Sequence, residues 1–312
     1  MRDVTLRVRR PGLRVIHPGK YIFRSKSAQH ESMLRAAWVS PEMFQTGIVR
    51  AHLFPLRPRD GRQWDALLAV SFTVPLKGSA GGDVVREFGA VLYDGPAVMH
   101  QLARKITLRP ESPEVSSTPT VTFLEPVRVR PGSYTVTAVM SSPDGGDPHA
   151  TKIRVTVPEI PKKELFLIGP MLGRPAGSNL VVMGSGSGPD DDAIGSEKSF
   201  EPLLLQQLDD PMDLVAITQA CLVDTKKRKK PGKRQSASHV LRALLDADGA
   251  AVGRLEPLEL LLEGQGRVKC TNVVDLIPAN SLKDGEYIFE VQLDTGRDVE
   301  PQRVHFSVGD SS

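Results

Sequence analysis

A chain of 312 residues with 40% hydrophobic and 25% charged residues has enough apolar material for more than one core, and lies outside the composition of disordered chains. Its net charge of +3 is too small to draw it by itself onto nucleic acid or an anionic membrane. Its longest apolar stretches fall well short of the roughly 20 residues that span a bilayer, so no membrane span is expected.

The opening residues alternate, with Val4, Leu6 and Val8 separated by basic residues, then turn at Pro11-Gly12 and resume through Leu13, Val15 and Tyr21. This pattern predicts an N-terminal β-ribbon over 1–26, too small to bury a face of its own. Met1 to Arg10 lacks the apolar core of a secretory signal. A short helix is predicted from Ser27 to Trp38, with Met33, Leu34, Ala37 and Trp38 as its apolar positions.

Strand patterns then follow in quick succession: Ile48 to Leu56, Trp64 to Val74, Glu87 to Tyr93, Lys105 to Leu108, Thr120 to Leu124, Tyr134 to Met140 and Thr151 to Val157. Many short strands punctuated by Gly and Pro predict a β-sandwich, assigned to 27–160. Leu68, Val70, Phe72 and Val74 share one face of their strand, expected to be core. Ala69, Ser71 and Thr73 share the other, expected to be wet. In the last strand Ile153, Val155 and Val157 are expected inward, and Lys152, Arg154 and Thr156 outward.

Residues 161–200 read as a connector, holding an apolar piece from Leu165 to Leu172, a flexible Gly184 to Gly188 run and the acids Asp190 to Asp192. The strand rhythm returns over Leu214 to Val223, His239 to Leu245, Leu258 to Leu262, Arg267 to Leu276, Tyr287 to Leu293 and Arg303 to Val308. This is a second sandwich, 201–312. The fold class is therefore all-β: two immunoglobulin/fibronectin III-like antiparallel β-sandwich domains in tandem, preceded by a β-ribbon and a short helix. Pro131-Gly132-Ser133-Tyr134 and Asp284-Gly285-Glu286-Tyr287 echo each other, and place Tyr134 and Tyr287 as structural tyrosine corners.

Arg10 to Val15 with Gly19 to Phe23, Ser40-Pro41 leading into Ala51 to Phe54, Pro131 to Tyr134, Val157-Pro158 and Leu165 to Leu167 resemble the C-terminal region of the VWFA-related proteins known mainly from acidobacteria. The resemblance implies an extracytoplasmic, periplasmic or secreted, binding or scaffold region. It also implies that a von Willebrand factor A-like domain precedes Met1. The Asp-x-Ser-x-Ser metal loop of that domain does not occur in this sequence, so its metal site does not carry over.

Catalytic and metal-binding patterns are missing from the sequence. The seven histidines, at 17, 30, 52, 100, 149, 239 and 305, lack the spacing that sets two ligands on one helical face, and neither a nucleophile elbow nor a phosphate loop is present. No catalytic residue, metal ligand or cofactor is assigned. Cys221 shares parity with Val215 and Ile217, and Cys270 with Val268, so both are expected to point into one core. They are the candidate disulfide, closing a loop of about 50 residues.

Lys226, Lys227, Arg228, Lys229, Lys230, Lys233 and Arg234 form a basic loop that reads as a solvated turn or an anion-binding site. Non-catalytic protein interaction is the leading function, with an unidentified protein partner. A carbohydrate-binding module, and anion or nucleic-acid binding through 226–234, are the competing readings. Aromatics make up only 5% of the chain and do not interleave the basic residues. Oligomeric state is not readable. Replacing the seven basic residues of the loop by serine is expected to change folding stability by no more than about 0.5 kcal/mol in thermal unfolding while weakening retention on heparin. A large stability loss would show the loop to be docked.

Overall fold

A computed structural model describes residues 25–59, 61–74, 83–108, 120–143, 146–162, 164–175, 200–204, 207–223, 239–262, 267–294 and 300–309, and the backbone alone at 2–3, 20–21 and 180–183. In the N-terminal segment β1 (Arg2–Asp3) pairs antiparallel with β2 (Lys20–Tyr21). The expected helix is α1 (Lys26–Val39). The Ser25 side chain caps it by accepting from the Ala28 N–H at 3.1 Å, and the chain leaves it into a 3-10 turn at Pro41–Phe44.

Strands β3 (Val49–Pro58), β4 (Trp64–Thr73), β5 (Val84–Asp94), β6 (Ala97–Leu108), β7 (Thr120–Val129), β8 (Gly132–Ser141) and β9 (His149–Val157) build the first sandwich. They are followed by β10 (Leu165–Pro175), β11 (Leu180–Met183), β12 (Phe200–Pro202), β13 (Gln207–Leu208), β14 (Leu214–Val223), β15 (His239–Asp246), β16 (Ala251–Glu259), β17 (Val268–Ile277), β18 (Gly285–Asp294) and β19 (Gln302–Val308). The first sandwich faces sheet β11-β7-β4-β3 against β6-β5-β8-β9. The second faces β12-β10-β14-β17 against β13-β19-β18-β15-β16. Pairing is antiparallel except where β11 lies parallel to β7 and β13 parallel to β19. The fold is all-β, of the immunoglobulin/fibronectin III-like sandwich class.

Three expectations change. The segment 161–200 is not connector throughout, because β10 pairs with β14 from Leu165↔Leu222 to Gly173↔Val215 and is a full member of the second sandwich. The Gly184 to Gly188 and Asp190 to Asp192 runs and the basic loop 226–234 lie outside the described residues. Strands β6 and β16 are longer, or placed earlier, than the periodicity at Lys105 to Leu108 and Leu258 to Leu262 indicates. Both are sheet edges with little cover on either face, and all nine residues of β16 are exposed, so selection for burial leaves no alternation to read.

The third change concerns β4. Leu68, Val70 and Phe72 are buried in the first core as expected, but Leu67, Ala69 and Ser71 on the opposite face are buried too. Leu67 and Ala69 form a separate apolar cluster with Leu124, against which Phe54, Leu56 and Leu204 pack. Leu204 belongs to the second half of the chain. That face is therefore dry because the two sandwiches pack on each other. On β9 the expected alternation holds, with Lys152, Arg154 and Thr156 exposed.

Helix α1 covers the far side of the first sandwich, with Ala37, Leu34 and Trp38 against Val139 and Ala150. Gly89 on β5 makes this possible, since a Cβ there would stand 2.9 Å from the Trp38 ring. The two tyrosines make the same closure in each sandwich. The Tyr134 hydroxyl donates to the Arg130 carbonyl at 2.9 Å and accepts from the Arg130 N–H at 3.0 Å. The Tyr287 hydroxyl does the same with Lys283, at 3.0 and 2.8 Å.

A charged pair lies inside the second sandwich. Arg242 on β15 donates through Nη1 to Asp275 Oδ1 on β17 at 2.8 Å, with side chains 9% and 5% exposed, and its Nη2 donates to the Glu256 carbonyl. Burial raises the Asp275 carboxyl above its ordinary value against the opposing pull of Arg242. The folded chain thus holds that proton more tightly than the unfolded chain. This group adds stability as pH falls from above its folded value toward the ordinary value of about 3.9, and removes it as pH rises through the same window. In urea unfolding at neutral pH, Arg242→Met alone is expected to cost about 3–5 kcal/mol by leaving Asp275 charged and unpaired, and Arg242→Met with Asp275→Leu to recover most of that. A double variant no more stable than the single would show that the pair is not the cause.

Candidate functional site

The junction between the sandwiches collects the groups that the folds do not use internally. From the second half, Phe166 on β10 sets its ring edge-on to Trp64 of the first core, with centroids 6.2 Å apart, while Val223 belongs to that core and Val268 packs against it. Trp64 Nε1 donates to the Pro158 carbonyl at 2.8 Å, so its indole is held from both sides. Higher on the junction Glu201 of β12 is buried. It accepts from the Thr122 hydroxyl of β7 at 3.1 Å and from Arg174 Nε of β10 at 2.8 Å, tying the two sandwiches through one carboxylate.

The disulfide lies on this same junction. Cys221 and Cys270 are bonded, directly opposite each other on β14 and β17, and Cys221 is fully buried. They share one face with Val215, Ile217 and Val268, and it is the face turned away from the second core. The second core takes Leu214 and Ala216, and the odd residues of β14 face the other way, where Val223 joins the first core and Cys221 is buried. The physical reason is the doubly covered sheet, which makes both parities of β14 apolar and hides which one is core.

Beside the junction a cleft of about 250 Å³ opens between His52 and Phe54 of β3, the Gly169-Pro170 bulge with Met171 and Leu172 of β10, Leu203, and Arg303 and Val304 of β19. The His52 and Phe54 rings lie 4.3 Å apart. Burial lowers the His52 pKa, so the imidazole is neutral at physiological pH and presents an uncharged wall. Arg303 stands half-exposed, held by Glu290 at 2.6 Å. The described lining therefore offers a mixed surface, with apolar side chains, a neutral ring and one guanidinium.

Elsewhere, Thr46 Oγ1 lies 2.9 Å from His149 Nδ1 and fastens the loop after α1 to β9. Burial lowers the His149 pKa, Asp147 opposes that shift and Arg86 adds to it. Among the described residues no three His, Cys, Asp or Glu side chains gather as a metal site, and no helix is long and apolar enough to cross a membrane. No described Phe, Trp or Tyr is exposed, and Trp64, Phe72, Tyr134 and Tyr287 are buried. Sequence reasoning missed His52, Glu201 and Arg303. Only Arg242 carried a signal, as a charge sharing core parity with Val240 and Leu244.

The chain matches no known protein family and no curated protein. Among solved structures it is similar to the fibronectin(III)-like modules of Clostridium thermocellum CbhA, at 14% identity and TM-score 0.20, over 84% of this chain and 94% of that one. It is also similar to an ectodomain fragment of ICAM-5, at 13% identity and TM-score 0.20, over 83% and 53%. The Amycolatopsis orientalis exo-chitosanase CsxA aligns at 10% identity and TM-score 0.20, over 82% and 26%. Superpositions this loose carry no functional information.

Glu201→Ala is expected to lower stability in denaturant unfolding by about 1–3 kcal/mol, since it strands the buried Thr122 hydroxyl and removes a charge-assisted bond to Arg174. Glu201→Gln, which keeps the shape and an acceptor, is expected to recover part of the loss. Equal stability of all three proteins would remove Glu201 as a tie between the sandwiches.

Proposed function

We propose that this chain is a non-catalytic protein-interaction and scaffold region of an exported bacterial VWFA-related protein, working outside the cytoplasm. The observation that carries the reading is the junction cleft, where the side chains of Phe54, Met171, Leu172 and Val304 and a neutral His52 meet the Arg303 guanidinium. Such a surface holds an extended segment of a partner by apolar contact and directs one acidic group of it to the arginine. Sandwiches commonly recognise partners through loops or sheet edges, which agrees with this use. The Cys221–Cys270 bond supports the extracytoplasmic placement, because such bonds persist in oxidising compartments.

The experiment is crosslinking capture from the extracytoplasmic fraction of the native host, comparing the wild type with Arg303→Ala. The arginine is exposed and its pair with Glu290 contributes only about 0–1 kcal/mol, so thermal unfolding is expected to stay nearly unchanged. Affinity for the captured protein is expected to fall by about 30-fold, as for an interface arginine worth about 2 kcal/mol. Undiminished binding by Arg303→Ala, or turnover of a substrate by the purified chain, would overturn the proposal.

A further inference from the structure

The open sheet edges differ in how they are guarded. Strand β16 shifts register twice against β15 and contains Pro257, and β6 shifts once against β5. Strand β17 has neither device. It holds one register against β14 over its ten residues, from Val268↔Val223 to Ile277↔Leu214, and among the described residues it forms the end of its sheet. An edge without bulge or proline is a template for another strand.

The disulfide shows which groups that edge presents. Cys221 and Cys270 have Cα atoms 4.1 Å apart, the close spacing of an antiparallel pair that does not exchange backbone hydrogen bonds. By alternation Val268, Cys270, Asn272, Val274 and Leu276 all turn their N–H and C=O groups away from β14, toward the open side. On the outer face of the same strand Val274 is 62% and Leu276 59% exposed, beside Ile217 and Val215. They continue the apolar surface that the first sandwich covers at Val268 and Val223. On the inner face Asp275 gives one oxygen to Arg242, while Oδ2 is buried and has no hydrogen-bond partner among the described residues.

We propose that β17 pairs antiparallel with β17 of a second copy of this chain, across a two-fold axis at Asn272. That register sets Asn272 opposite itself, Cys270 opposite Val274 and Val268 opposite Leu276. All are residues with outward backbone groups, giving on the order of ten new hydrogen bonds. It also sets Lys269, exposed in the single chain, directly opposite Asp275 of the other copy on the same face, where its ammonium meets the unpartnered Oδ2. A two-fold axis at any other residue separates those charges. Because Val268 lies against the first sandwich, each copy brings its first sandwich toward the exposed Val274 and Leu276 of the other. The pairing is isologous and closes at two copies.

Sedimentation equilibrium of the full chain over a concentration series tests this. The wild type is expected to move from a 34.0 kDa species to twice that mass. Lys269→Glu, an exposed change that sets two acids opposite each other, is expected to raise the dimer dissociation constant at least about tenfold. Asn272→Pro, which removes an outward N–H at the axis and none that β14 uses, is expected to give a monomer. Circular dichroism identifies a proline variant that fails to fold, in which case Lys269→Glu alone decides. A wild type that stays at 34.0 kDa throughout, or a dimer indifferent to Lys269→Glu, would overturn the proposal.

Discussion

Everything in this molecule depends on the first sandwich having a sheet that is dry on both faces. Leu68, Val70 and Phe72 fill the first core, and Leu67, Ala69 and Leu124, on the reverse, are closed over by Leu204 from the second half. Exposing that reverse face would return several aliphatic side chains to water at about 25 cal/mol per Å² of apolar surface. The second half is bound by the same requirement, since Phe166, Val223 and Val268 are built against the first core. The cleft lined by β3, β10 and β19 opens beside that packing.

Polar groups at depth set the geometry where apolar contact alone would permit sliding. Glu201 meets Thr122 on one side and Arg174 on the other, so it is satisfied only when β7, β10 and β12 stand in one arrangement. Arg242 and Asp275 do the same between the two sheets of the second sandwich. Pairs of this kind add little net stability over an apolar equivalent, because desolvation offsets attraction; at these positions they select one alignment of layers. The Cys221–Cys270 bond adds a covalent tie between β14 and β17 at the end nearest the first sandwich.

The legible part of the fold was the part governed by local rules. Strand β14 begins and ends where its pattern predicts, at Leu214 and Val223, and α1, expected over Ser27 to Trp38, runs from Lys26 to Val39. Both tyrosines follow a Gly turn in strands that open the same way, with Gly132 and Gly285 at φ 153° and 149°. Cys221 and Cys270, a candidate pair in the sequence, stand opposite each other on β14 and β17. In contrast, the uninterrupted run Ala66 to Val70 already carried the mark of a strand covered on both faces, and alternation alone assigned one of those faces to water.

Sequence by itself determined the all-β class and the positions of most strands, because strand periodicity, turn residues and capping act over a few residues. Only the tertiary structure decided which apolar face is core, that Leu165 to Pro175 is a strand of the second sandwich, and that His52 and Arg303 share a cleft. Those facts depend on contacts between residues far apart in the chain. A period of two says that a strand has two faces; what comes to lie against each is settled by the packing of other elements.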